Sequence, residues 1–238
     1  MMKKWKWMGF LMLIALYTQV VNAQNKKHLS EKQEGIITIS SLTAKGDLSS
    51  LNTALNAGLD HGLTVNEIKE ILVHTYAYCG FPRSILGLQT FMQVMDERKA
   101  KGIEDTEGKT ASPISNEGDK YQRGKAILGE LTNTKQPDQL SGYSAFAPAI
   151  DTFLKEHLFA DIFERDVLTY AERELVTISV IATIGDADPM LQSHLGISLN
   201  EGITPDQLKE FVPIIQSTAG TEKAQAADTV LKKVLKSK

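Results

Sequence analysis

The side chains best able to do chemistry are gathered between Thr64 and Phe91, in TVNEIKEILVHTYAYCGFPRSILGLQTF. This stretch holds Glu67, Glu70, His74, Tyr78, Arg83 and the single cysteine of the chain, Cys79. At about 100° per residue, Glu67, Glu70, His74 and Tyr78 share a helical stripe roughly 80° wide, and Cys79 leaves about 120° from Glu67, on the side of Ile68, Leu72 and Thr75. The stripe suits acid-base chemistry. Glu70, one turn from His74, is placed to hold one imidazole tautomer while the other ring nitrogen exchanges a proton with a substrate, and Tyr78 lies one turn beyond. Glu67 divides evenly between a second acid or base and a helix-capping group. Arg83 is positioned to bind a carboxylate together with free backbone N–H groups. Cys79 reads either as a small buried hydrophobe or, beside the start of a new helix, as a nucleophile of lowered pKa. No second histidine stands at ligand spacing, so a metal site is not expected.

The elements that must position these groups follow from caps and punctuation. Thr64 is a good N-cap and Glu67 completes a capping box, which predicts a helix over Val65–Cys79; Gly80 ends it and Pro82 suits the first turn of the next, running to about Lys99. Earlier, a helical pattern opens at Leu29-Ser30 and a second helix is expected near Leu48–Asp60. Residues 101–118 turn polar and carry Gly102, Gly108, Pro113 and Gly118, the composition of a mobile linker. A short helix over Tyr121–Leu131 and a loop follow, and beyond Pro148 the helical pattern returns.

That returning pattern is a copy. With an offset of 139, Thr38-Ile39-Ser40 meets Thr177-Ile178-Ser179 and Gly46-Asp47 meets Gly185-Asp186. With an offset of 140, Leu51, Leu55, Leu59, Gly62, Thr64, Glu70 and Gly80 meet Leu191, Leu195, Leu199, Gly202, Thr204, Glu210 and Gly220. Matches at core leucines, loop glycines and N-caps are those a shared backbone demands. No stretch alternates as a strand does, so the expected fold is all-α, a tandem duplication: residues 24–100 as the first repeat, 101–147 as a linker with a short helix, 148–238 as a degenerate second repeat. Glu67, His74, Tyr78 and Cys79 meet Gln207, Ile214, Thr218 and Ala219, whereas His194 of the second copy meets Ala54 of the first. One site per chain is therefore expected, built mainly from the first copy, with His194 a candidate to approach it from the second.

Residues 1–23 read as an export signal: Lys3, Lys4 and Lys6, then an apolar run from Met8 to Tyr17, then Val21-Asn22-Ala23 before the cut. Ten apolar residues are too few to span a bilayer. Cleavage removes three of the 26 Lys and Arg and none of the 29 Asp and Glu, moving the net charge from −3 to −6. A chain so charged does not seek nucleic acid or an acidic membrane surface. The expectation is a protein exported to the periplasm or secreted, with no internal disulfide and no membrane contact after cleavage.

The segments ALNAGL with EIKEILVHTYAYCGFP in the first copy, and HLFADIFERDVL, RELVTIS and LQSHLGISLNEGIT in the second, resemble the carboxymuconolactone decarboxylase family, which includes the alkylhydroperoxidase D-like proteins. The resemblance implies an all-helical fold, assembly into rings, here guessed as a trimer of duplicated chains, and action on a small molecule. The family's peroxidase branch uses a glutamate, a Cys-x-x-Cys pair and a histidine. Glu67 and Cys79 fit the first two positions, while Pro82 and Leu86 stand where the second cysteine and the histidine would be. Three readings stay open. The first is a cofactor-independent decarboxylase-like enzyme acting on a small carboxylate or lactone, with Arg83 holding the anion and His74, Glu70 and Tyr78 handling the proton. The second is a thiol peroxidase using Cys79 with Glu67, and the third a non-catalytic helical assembly module.

Overall fold

The computed structural model describes residues 28–114 and 117–237. The expected export signal lies outside them. Ten α-helices and one π-helical segment occur among the described residues, with no strand. The first repeat comprises α1 (Glu31–Lys45), α2 (Leu48–Asp60) and α3 (Val65–Ala100). Next come α4 (Lys120–Leu131), two single-turn helices, α5 (Gly142–Phe146) and α6 (Pro148–Thr152), and the π-helical segment Phe153–Phe163; α6 and the π-helical segment lie within the expected second repeat of 148–238, yet the segment packs on α4 of the connection. The second repeat continues with α7 (Tyr170–Ile184), α8 (Asp188–Asn200), α9 (Pro205–Ala219) and α10 (Thr221–Lys236).

The duplication is visible in backbone detail. Ser30 and Thr169 open α1 and α7 with capping boxes closed by Gln33 and Glu172, and Thr64 and Thr204 do the same for α3 and α9 through Glu67 and Gln207. Gly80 breaks α3 at φ 80°, ψ 162°, and its counterpart Gly220 separates α9 from α10 at φ 102°, ψ 168°. That region is open to glycine and strained for any other residue, which is why both copies keep glycine at the corner.

Helices α1 and α7 form the centre, packed on each other and wrapped by the rest. Beyond their first turns both are buried on nearly every side: Ile36, Ile37, Ile39 and Leu42 in α1, and every residue from Arg173 to Thr183 in α7. The hydroxyls of Ser40, Thr43, Thr177, Ser179 and Thr183 donate to carbonyls one turn back, so their burial leaves no donor unpaired. The packing crosses between copies: α3 of the first repeat lies on α7 of the second, and α9 of the second lies on α1 of the first. Two equivalent junctions result.

The 101–114 stretch, expected from its composition to be mobile, is fastened as a strap. The Val65 and Asn66 N–H groups donate to the carbonyls of Thr106 and Glu107, satisfying the open start of α3. Buried Arg98 grips Asp105 through two nitrogens, and Asp166 accepts from Lys109 and from the Ser112 amide. Helix α4 packs along the π-helical segment, close enough that a Cβ on Gly124 would strike the Lys155 carbonyl. Their shared core of Ile127, Leu131, Leu158, Phe159, Ile162 and Phe163 closes over Tyr76, Tyr78 and Ile197. The connection is therefore a cover for the α3–α7–α8 junction.

Candidate functional site

At this junction the side chains of α3 meet those of α7. Glu70 is almost fully buried and accepts from two arginines: Arg165 through Nε and Nη2, at 2.8 to 3.0 Å, and Arg173 through Nη2 at 2.9 Å. Arg173, wholly inaccessible, also donates through Nη1 to His74 Nδ1 at 3.2 Å. A guanidinium only donates, so Nδ1 accepts and the His74 proton sits on Nε2, from which it is given to Thr177 Oγ1 at 2.9 Å. Burial, and then the Arg173 and His194 charges, hold the imidazole well below its ordinary pKa. His74 is thus neutral with both nitrogens engaged. The direct Glu70–His74 contact expected from helical spacing is replaced by an arginine bridge, because Arg173 from the other repeat enters between them.

One turn on, the Tyr78 ring lies tilted at 5.5 Å from the His74 ring and meets the His194 ring edge-to-face at 5.8 Å. Its hydroxyl is buried without a hydrogen bond of normal geometry, though Thr177 lies near; burial first, then the Glu174 carboxylate, push its pKa far up, so it remains a phenol. His194, from α8, donates through Nδ1 to Glu174 Oε2 at 2.8 Å. Glu174 has no accessible surface and its Oε1 has no partner among the described residues. A carboxylate accepts, so Nδ1 of His194 carries a proton, and Nε2 has no hydrogen-bond partner among the described residues. The structure therefore does bring His194 across to the first-copy row.

The remaining sequence candidates sit apart. Glu67 caps α3 and pairs with Lys32 at 2.5 Å, which together with Thr64 holds its carboxyl below the usual range although burial opposes this. Cys79 is half-buried; its thiol donates to the Thr75 carbonyl, and burial pushes its pKa up to about 11, with Thr75 and Arg83 only partly offsetting this. It lies on the Thr75 side, as helical geometry predicted. Arg83 is exposed and rests on Gly46, at the carbonyl-rich end of α1 where a cation is favoured. Among the described residues no three of His, Cys, Asp and Glu converge as a metal would require.

The equivalent junction, α9 on α1, has lost the network. Glu210, matching Glu70, accepts from His28 and the Leu29 amide; Ile214 and Thr218 replace His74 and Tyr78; Glu34, Gly35 and Ala54 stand where Arg173, Glu174 and His194 are. Thr218 instead joins a buried hydroxyl chain with Ser41 and Thr183, at 2.7 and 2.8 Å. A fold held by the second junction without these groups does not need them at the first for packing alone.

Sequence reasoning did not single out Arg165, Arg173, Glu174 and Thr177. The available signal was an Arg-Glu pair set within the apolar run of α7, where an unpaired charge is costly.

Fold and junction define a two-repeat all-α protein that, among the described residues, carries a buried Glu-Arg-His network at one of the two crossings of its copies. The sequence profile of the Carboxymuconolactone decarboxylase family matches residues 11–89 and 148–233, and the chain belongs to that family. It is similar to a 4-carboxymuconolactone decarboxylase of Acinetobacter baylyi, with 28% identity over 122 residues, 51% of this chain and 90% of that protein.

Proposed function

We propose that the chain is a cofactor-independent enzyme that removes or exchanges a proton, or releases CO2, on a small carboxylated or lactone-like compound, with His194 as its base and acid. The observation that carries this reading is the Glu174–His194 pair, a buried carboxylate fixing the tautomer of a histidine at one of two otherwise equivalent junctions. The His194 side chain is 14% exposed and only its Nδ1 is engaged, by Glu174, whereas both nitrogens of His74 are taken up. For decarboxylation, the C–C bond to the carboxylate breaks, its electron pair moves into a conjugated carbonyl to give an enolate, and His194, protonated from solvent, delivers a proton to the carbon that lost CO2 as the enolate collapses. One proton is consumed for each CO2 released. Tyr78 packs against His194, and His74, Arg173 and Glu70 hold Tyr78 in place behind it.

The relative's printed activity, on 4-carboxymuconolactone, supports carboxylated lactones as the first compounds to try. The thiol-peroxidase alternative asks for a thiolate at Cys79, and its raised pKa works against one. Export and trimer formation remain parts of this proposal; exposed Phe81 and Met92 on α3 supply apolar surface of the kind subunit contacts use. The test is CO2 release from a carboxylated lactone by the wild type and by His194→Gln. Loss of about 10²–10⁴ in rate with an unchanged helical spectrum is expected; equal rates would remove His194 from the chemistry.

A further inference from the structure

Beneath the strap lies a cleft of about 540 Å³, walled by the first turns of α3, by residues 110–114 and by the turn before α7. Its volume is within the range of small-molecule sites. The polar end is formed by Lys69, Glu70 and Arg165, the apolar walls by Val73, Ile114 and Val167. Arg165 spends Nε and one edge of Nη2 on Glu70, which leaves the N–H groups of Nη1 without a partner among the described residues. The guanidinium is held rigidly by that pairing and its side chain is 35% exposed. Lys69 adds a second cation, which donates to Asn66 and is ion-paired with Glu107 at 3.1 Å. With Glu70 consumed by two arginines, the cationic group left open beside the apolar wall is the Nη1 edge of Arg165. Its floor, Glu70, is also the far end of the chain through Arg173 to His74.

We propose that this cleft is a binding site, separate from His194, for a small organic monocarboxylate with an apolar body. The carboxylate takes the free edge of Arg165 and the Lys69 ammonium, a charge-assisted pairing in which geometry is supplied by the arginine. The body packs on Val73, Ile114 and Val167. Nothing in this requires the decarboxylation chemistry.

The experiment is calorimetric titration of the mature chain with benzoate and with benzamide, its uncharged isostere. Benzoate is expected to bind saturably and at least about tenfold more tightly than benzamide. Val167→Trp, which fills the apolar wall without touching a charge, and Lys69→Met, an exposed substitution that leaves the fold intact, should each weaken benzoate by about threefold or more. Glu70 and Arg165 are left in place so that unfolding cannot imitate loss of binding. His194→Gln should bind benzoate like the wild type, whatever it does to turnover, and benzoate should move the His74 ring signals in an NMR spectrum. Equal binding of benzamide, no saturation by about 10 mM, or full affinity in Val167→Trp would overturn the assignment.

Discussion

Glu174 and His194 come from neighbouring helices of the second repeat, yet their contact, 2.8 Å between Oε2 and Nδ1, is completed by Tyr78 of the first. The pair has meaning only at the crossing of the two copies. At the other crossing Gly35 and Ala54 occupy the same positions. The role proposed for His194 rests on that asymmetry.

Arg173 is the keystone of the buried network, bonded to Glu70, His74 and the Arg165 carbonyl. Arg173→Met strands the Glu70 carboxylate partly unpaired and should cost about 3–5 kcal/mol in urea unfolding. Adding Glu70→Gln should recover part of that loss, because the stranded charge is then gone. A single substitution that costs nothing would mean the network is not coupled as drawn.

His74 gives the fold a pH dependence of known sign. Its folded pKa lies well below the ordinary 6.5, so the unfolded chain binds the extra proton, and this contribution is full above about pH 6.5 and lost as pH falls. Stability should decline from pH 7 to 5 with a slope of up to about 1.4 kcal/mol per unit from this group. His74→Leu, imitating the apolar Ile214 of the other copy, should flatten that slope. An unchanged slope would place the titration elsewhere.

For Cys79 the sign is opposite. The thiol pKa is raised to about 11, so its protonated state is favoured by the fold, and that contribution is present below the ordinary thiol pKa and lost as pH rises through the folded value. Alkylation of the native chain by iodoacetamide should therefore be slow at pH 8 and accelerate only toward pH 11. A rate already at its plateau at pH 8 would describe a reactive thiolate and favour the peroxidase alternative.

At the corner of α3, Gly80→Ala forces a Cβ into φ 80°, ψ 162° and should cost about 1–3 kcal/mol. Gly220→Ala should cost a similar amount, since both corners have the same geometry. Thermal unfolding of the two variants compares them directly.

Much of this was legible in the chain itself. The caps at Thr64 and Thr204, the corners at Gly80 and Gly220 and the leucine rows required local rules only, and they located the helices and the duplication. The row of Glu70, His74 and Tyr78 was also found, because it lies on one helix. Partners from other helices were not: Arg173 and Glu174 are distant in sequence, and helical spacing cannot say that a guanidinium will enter between Glu70 and His74. His194 was made a candidate by its mismatch with Ala54, but its carboxylate partner could not be read. The strap looked mobile because its composition is polar, and composition does not register that Asp105, Thr106 and Glu107 bond to Arg98 and to the open start of α3.

The most direct measurement is chemical rescue of a chain whose proposed base has been cut away. His194→Gly should release CO2 from a carboxylated lactone at a small fraction of the wild-type rate, and added imidazole should restore turnover in a saturable, pH-dependent way. Wild-type activity in His194→Gly, or an inactive variant that imidazole fails to revive, would contradict a proton-handling histidine at the crossing of the two repeats.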